Sequence, residues 1–163
     1  MTLRTHLENF RRDEDGAALV EFGLSLPLVL VLFAAIVDGS RMLWAYQAVS
    51  AGVRDAARYV ARVAPRDICT TGGSLVGFTA RLNDIVTETA AGTAFFPEGM
   101  AITSVTPSLT CVAGTWRDGT APIAEVTAVI EIPMPFANVV AFAGGEITTI
   151  TATVRDQSRI YGS

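Results

Sequence analysis

The 163 residues are half apolar, and only 17% are charged, which leaves room for one hydrophobic segment and one modest domain but not for two domains. The formal net charge is −4, and all 12 basic residues are Arg. Without a basic excess, a nucleic-acid partner is not expected.

The first element in chain order is a charged cluster followed by a long apolar run. Arg11, Arg12, Asp13, Glu14 and Asp15 stand together, and Ala17 to Val37 then carries a single charge, Glu21. About 20 apolar residues suffice to cross a bilayer as a helix. A cleavable secretory signal has a shorter apolar region, a positive start and an Ala-x-Ala-like site, none of which fits here. A buried core helix seldom holds so few polar residues. The run therefore reads as a single membrane span in contact with lipid, closed by Asp38 and Arg41. Arg4, Arg11 and Arg12 before it, against Arg41 and Arg54 after it, favour a cytoplasmic N-terminus by a small margin.

Two residues disturb this span. Glu21 is costly in hydrocarbon, and either it snorkels to the headgroups or it pairs with a cation. A cut between Gly16 and Ala17 creates such a cation, the Ala17 α-amine, on the same chain or on a neighbour. Pro27 cannot donate to the Gly23 carbonyl, so a kink or local melting is expected between Gly23 and Pro27.

The helical pattern continues past Arg41. Met42, Ala45, Val49, Val53, Ala56, Val60 and Val63 form an apolar stripe at spacings of three and four. Arg54, Arg58 and Arg62 fall on the other side, as a solvated face or as a basic ladder for a membrane surface or an acidic partner. Pro65 ends the pattern. Small residues such as Ala48, Ala51 and Gly52 permit close helix approach.

Beyond it, Ser74 can cap a second helix running to about Ala91, with Leu75, Phe78, Leu82 and Ile85 on one face and Gly92 as its stop. The period then changes to two. Ile102 to Val112 is a strand marked by Pro107 as an edge or a bulge. Ala124, Val126, Ala128, Ile130 and Ile132 alternate as a clear strand, and Ile147 to Arg155 is another, with Ile150, Ala152 and Val154 inward. Between them, Pro133 to Gly145 is a connection with room for a helical turn at Phe136 to Phe142. The fold class is α+β, a long membrane-spanning helix packed through its C-terminal half on a small antiparallel sheet. In residue ranges, 17–40 form the span, 41–64 its extramembrane continuation, and 65–163 the α+β domain, while a cut after Gly16 would set 1–16 apart as a leader.

Cys69 and Cys111 are the only cysteines. An even pair beyond a membrane span suits a disulfide. Two free thiols and a metal pair are the alternatives, the latter disfavoured because the only histidine, His6, lies on the other side of the span. No catalytic, cofactor-binding or metal motif is present: Gly72-Gly73 and Gly144-Gly145 read as turns, and Glu125 and Glu131, on one strand face by parity, read as solvated. An anchored enzyme finds no residues to support it.

Gly16-Ala17-Ala18-Leu19-Val20-Glu21-Phe22, Leu26-Pro27-Leu28, Asp38-Gly39 with Arg41, and Ala56-Ala57-Arg58-Tyr59 occur in this order. This set resembles the TadE-like family of pseudopilins, minor pilin-like components of tight-adherence (Flp) pilus systems. The resemblance covers the first third of the chain and weakens beyond Ala64. It implies a pilin-like fold, cleavage after Gly16 by a prepilin peptidase, and a partnership between Glu21 and the Ala17 amine during assembly. Other pilins and pseudopilins and the inner-membrane assembly platform are the further partners it implies. The place it implies is the inner membrane, N-terminus in the cytoplasm and C-terminal domain outside, with possible incorporation into a pilus. An uncleaved, anchored scaffold or adhesion module of the cell envelope is the alternative.

Overall fold

One helix, α1 (Glu14–Val63), dominates the molecule. Its 50 residues extend for about 75 Å at 1.5 Å each. The structure, a computed structural model, describes residues 14–88, 99–116, 119–142, 144 and 148–162. Helical conformation runs without a break through Gly23–Pro27, so no melted turn occurs there. Proline costs one hydrogen bond while its fixed φ remains helical, and the adjacent Ser25 hydroxyl donates to the Phe22 carbonyl at 3.1 Å. At the far end Ala64 still donates to Val60 (2.8 Å), and Pro65 then ends the ladder.

The chain divides into two compact units, of which the first combines α1 up to Gly39 with the connection around 135–147. That connection contains a short helix, α4 (Ala137–Phe142), where a helical turn was expected.

The second unit holds α1 from Ser40 onward, the segment to Met134, and the residues from Thr148. Its sheet is antiparallel, in the order β1 (Ala101–Trp116), β2 (Gly119–Pro133), β3 (Thr149–Arg159). Pro107 pairs with Val126 from the edge strand, the position a residue without an N–H can occupy. The register shifts between Ile102 and Ser104, and again between Val112 and Trp116. On the central strand Ala124, Val126, Ala128, Ile130 and Ile132 are buried, as their alternation requires. β3 begins two residues later and ends four residues later than the pattern Ile147–Arg155 suggests; Val154 is buried, and Ile150 and Ala152 are half-buried.

These side chains meet the inner face of α1 in one core that includes Ala45, Val49, Val53, Ala56, Ala57 and Val60. The expected stripe is corrected at both ends, since Met42 is 38% and Val63 48% exposed. At 100° per residue, Val63 lies about 60° from Val60, away from the face that Ala57, Ala61 and Ala64 continue. Arg54, Arg58 and Arg62 are exposed.

The segment after Pro65 differs more from expectation. A one-turn helix, α2 (Ile68–Thr71), closes on Gly72 at φ +68°, and the Thr70 and Thr71 hydroxyls donate to the Asp67 carbonyl. The Ser74 hydroxyl accepts from the Val76 N–H at 3.3 Å at the start of a 3-10 turn (Val76–Phe78), whose N-cap is Leu75, so Ser74 does not cap the α-helix as expected. The helix itself, α3 (Thr79–Thr87), is shorter than predicted: Glu88 is already extended at φ −124° and ψ 151°. Ile85, Val86 and Thr87 are consecutive β-branched residues, which lowers helix propensity where it stops. Ala91 and Gly92, the expected end and stop, lie outside the described residues. Leu75 and Leu82 are buried, and Phe78 and Ile85 pack against the core from its margin. At Gly52 α1 comes close to α3: a Cβ there would lie 3.0 Å from the Val86 Cα.

Candidate functional site: the amino-terminal helix

The first half of α1 is an apolar rod that the other described residues leave mostly uncovered. Its most apolar 18-residue stretch has a mean hydropathy of 2.4 and is only 6% buried. Leu19, Phe22, Leu24, Leu28 and Phe33 all expose more than half of their surface. A face of this extent marks contact with a membrane or with other chains. It is a candidate single-pass anchor.

Within this rod Gly16, Ala17 and Glu21 are all exposed. A Cβ on Gly16 would meet no atom within 4 Å. Four residues separate Ala17 from Glu21, so the two lie one above the other on the same helical face. Glu21 has no hydrogen-bond or ion-pair partner among the described residues. Such a carboxylate, presented in an apolar face, is an acceptor for a cation brought by another group.

The other end of the rod carries a feature that the sequence reading treated only as a boundary. Asp38 is 3% exposed, and neither of its carboxylate oxygens has a hydrogen-bond partner among the described residues. The Arg41 Nε, three residues on along the helix, is likewise buried and unpartnered there. Ala34, four residues before Asp38, is 1% exposed, so one side of this turn is covered. The Ala34–Asp38 spacing is the only sequence signal of this burial, and the acid at its second position disguises it. Leaving a buried polar group unsatisfied costs about 1–3 kcal/mol, and more when it is charged.

Away from the rod, Cys69 and Cys111 form a disulfide with Sγ atoms 2.02 Å apart and Cα atoms 5.8 Å apart. The bond ties α2 to β1, and the free-thiol and metal-pair alternatives fall away. Glu125 is half-buried and accepts from the Gln157 Nε2 on the neighbouring strand, while Glu131 is exposed. Six positions of strand separate the two acids by about 20 Å, too far to share one substrate bond. Among the described residues no cluster of three or more His, Cys, Asp or Glu side chains could hold a metal ion. His6 lies outside the described residues.

No curated protein and no solved structure matches this chain. Residues 16–58, which run from the Gly16–Ala17 junction through the exposed rod and into the buried stripe, match the model of the TadE-like protein family, so the chain carries a TadE-like segment where its motifs indicate one.

Proposed function

We propose that this protein is a pseudopilin, a minor pilin-like component of a tight-adherence (Flp) pilus, matured by a prepilin peptidase that cuts after Gly16. The family match over residues 16–58 suggests the pilus-related role. The observation that carries the processing step is the geometry of Gly16, Ala17 and Glu21: an open junction and, four positions after Ala17 on the same exposed helical face, an acid without a partner among the described residues. In this reading the precursor is anchored in the inner membrane with its leader in the cytoplasm and its α+β unit outside. Cleavage frees the Ala17 amine, and Glu21 accepts it from a neighbouring subunit. The pair offsets the cost of burying the carboxylate in a helical bundle and sets the axial register, since a wrong register leaves a charge unpaired.

Family resemblance also favours a structural role over an enzymatic one. The exposed apolar half of α1 supplies the surface for lipid before assembly, and for pilins, pseudopilins and the assembly platform afterwards. The test is the N-terminal residue of the protein isolated from cells that contain the pilus system. Ala17 is expected, with Gly16→Phe accumulating as full-length precursor. Glu21→Ala should mature normally yet co-purify less with other pilus components. Normal maturation of Gly16→Phe, or an uncut terminus in the wild type, refutes the reading in favour of a permanently anchored scaffold or adhesion module.

A further inference from the structure

The second unit contains an open cavity of about 590 Å³ where the segment through α2, the start of β2 and the end of β3 converge. This volume lies within the range of small-molecule sites, about 300–1,000 Å³. Pro122 and Ile160, both buried, supply an apolar floor. Around it stand Arg66, Asp67, Thr70, Thr120, Arg159 and Tyr161, all exposed. An apolar floor inside a ring of convergent polar groups is the layout of a ligand site.

The walls are held in place by main-chain and covalent bonds. Tyr161 donates its N–H to the Ala61 carbonyl at 2.9 Å, and Ile160 donates to Pro122 at 2.9 Å. Gly162 bridges to Pro65, and a Cβ there would meet the Ala64 carbonyl oxygen, so the backbone is pressed against the end of α1. The Cys69–Cys111 disulfide fixes the wall that also carries Thr70. The Thr70 hydroxyl spends its proton on the Asp67 carbonyl (2.8 Å) and keeps its lone pairs for a donor.

The geometry points to a saccharide unit bearing a carboxylate as the ligand of this cavity. Tyr161, 61% exposed, offers a ring face to the C–H side of a pyranose. Thr70, Thr120 and Asp67 offer acceptors and donors to its hydroxyls. Arg66, which has no ion-pair partner among the described residues, stands at the rim with its guanidinium open to an anion. Guanidinium forks match carboxylates in a bidentate way, so an acidic sugar is favoured over a neutral one. The inference does not depend on cleavage after Gly16 or on pilus assembly.

The test uses the full chain in non-ionic detergent, with trigalacturonate as the probe, galactotriose as the neutral control and a sulfated galactose trimer as the second anion. Titration calorimetry is expected to show saturable binding of trigalacturonate that weakens as salt rises, and at least tenfold weaker binding of both controls. Arg66→Ala and Tyr161→Phe should leave the thermal midpoint in place. Arg66→Ala should weaken trigalacturonate binding at least tenfold, Arg66→Lys less so, and Tyr161→Phe little, because the ring face is kept; Tyr161→Ser should weaken it severalfold. No binding by the folded wild type, equal binding of galactotriose or of the sulfated trimer, or full affinity in folded Arg66→Ala overturns the assignment.

Discussion

Removing the Cys69–Cys111 bond should destabilise the second unit by an amount that can be worked from its place in the chain. The two residues are 42 positions apart. For a closed loop of that length the chain-entropy relation gives about 13 cal/mol/K, or about 4 kcal/mol at 25 °C. Cys69 packs against the core from its margin and Cys111 is exposed, so little packing is lost with the sulfurs themselves. Two perturbations isolate the cross-link: the double variant Cys69→Ala/Cys111→Ala, and reduction of the wild type under mild conditions. Urea unfolding of the detergent-solubilised chain, followed by circular dichroism, reads the result. With a slope of about 2 kcal/mol/M, the midpoint should fall by about 2 M in both cases. The two shifts should agree with each other, because the sulfurs that the reduced wild type keeps and the double variant lacks contribute little packing. A shift below about 0.5 M in both refutes the view that the bond restricts the unfolded chain.

Two further perturbations address packing in α1. Gly52→Leu should lower the thermal midpoint, at a cost of about 1–3 kcal/mol, because the Val86 Cα and carbonyl lie 3.0 and 3.1 Å from an added Cβ and are backbone atoms. Gly52→Ala should change stability far less, since a helix-propensity gain of about 1 kcal/mol opposes the smaller displacement; an unchanged midpoint in Gly52→Leu would refute the close approach of α1 and α3. Asp38→Asn should slow amide exchange at residues 34–42 and raise the thermal midpoint, since it replaces a buried carboxyl group that has no partner among the described residues with an uncharged amide. A lowered midpoint would mean that the carboxylate holds a cation.

The legible parts of this molecule were those where a period and a stop signal coincide. β2 alternates through Ala124–Ile132 and is central and buried on one face, and Pro107 on its neighbour marks the edge it occupies. Pro65 ends α1 as its ring requires. The apolar length from Ala17 to Val37, interrupted by the one charge of Glu21, was equally visible, and α1 carries it as one long, largely exposed helix. Less legible were features decided by contacts distant in sequence. Met42 and Val63 fit the helical period but miss the face that the sheet covers. The one-turn α2 is too short to produce a period, and only the turn signal of Gly72-Gly73 after it marked the place. The cavity beside Tyr161 joins residues 66–70, 120–122 and 159–161, which no linear pattern connects. Asp38 reads in the sequence as the polar end of an apolar run, and only the tertiary structure makes it buried.

The shared core of α1 and β2 also fixes an order of events during folding. Val53 and Val126 belong to one core yet stand 73 positions apart, and β3, which pairs the other side of β2, follows later still. Contacts this remote in sequence carry a large loop-closure cost and form slowly. A chain emerging amino terminus first therefore displays the stripe from Ala45 to Ala64 before any strand exists to cover it. For that interval the molecule is sticky at the segment that lies buried once folding is complete, and it needs either prompt strand arrival or a temporary shield.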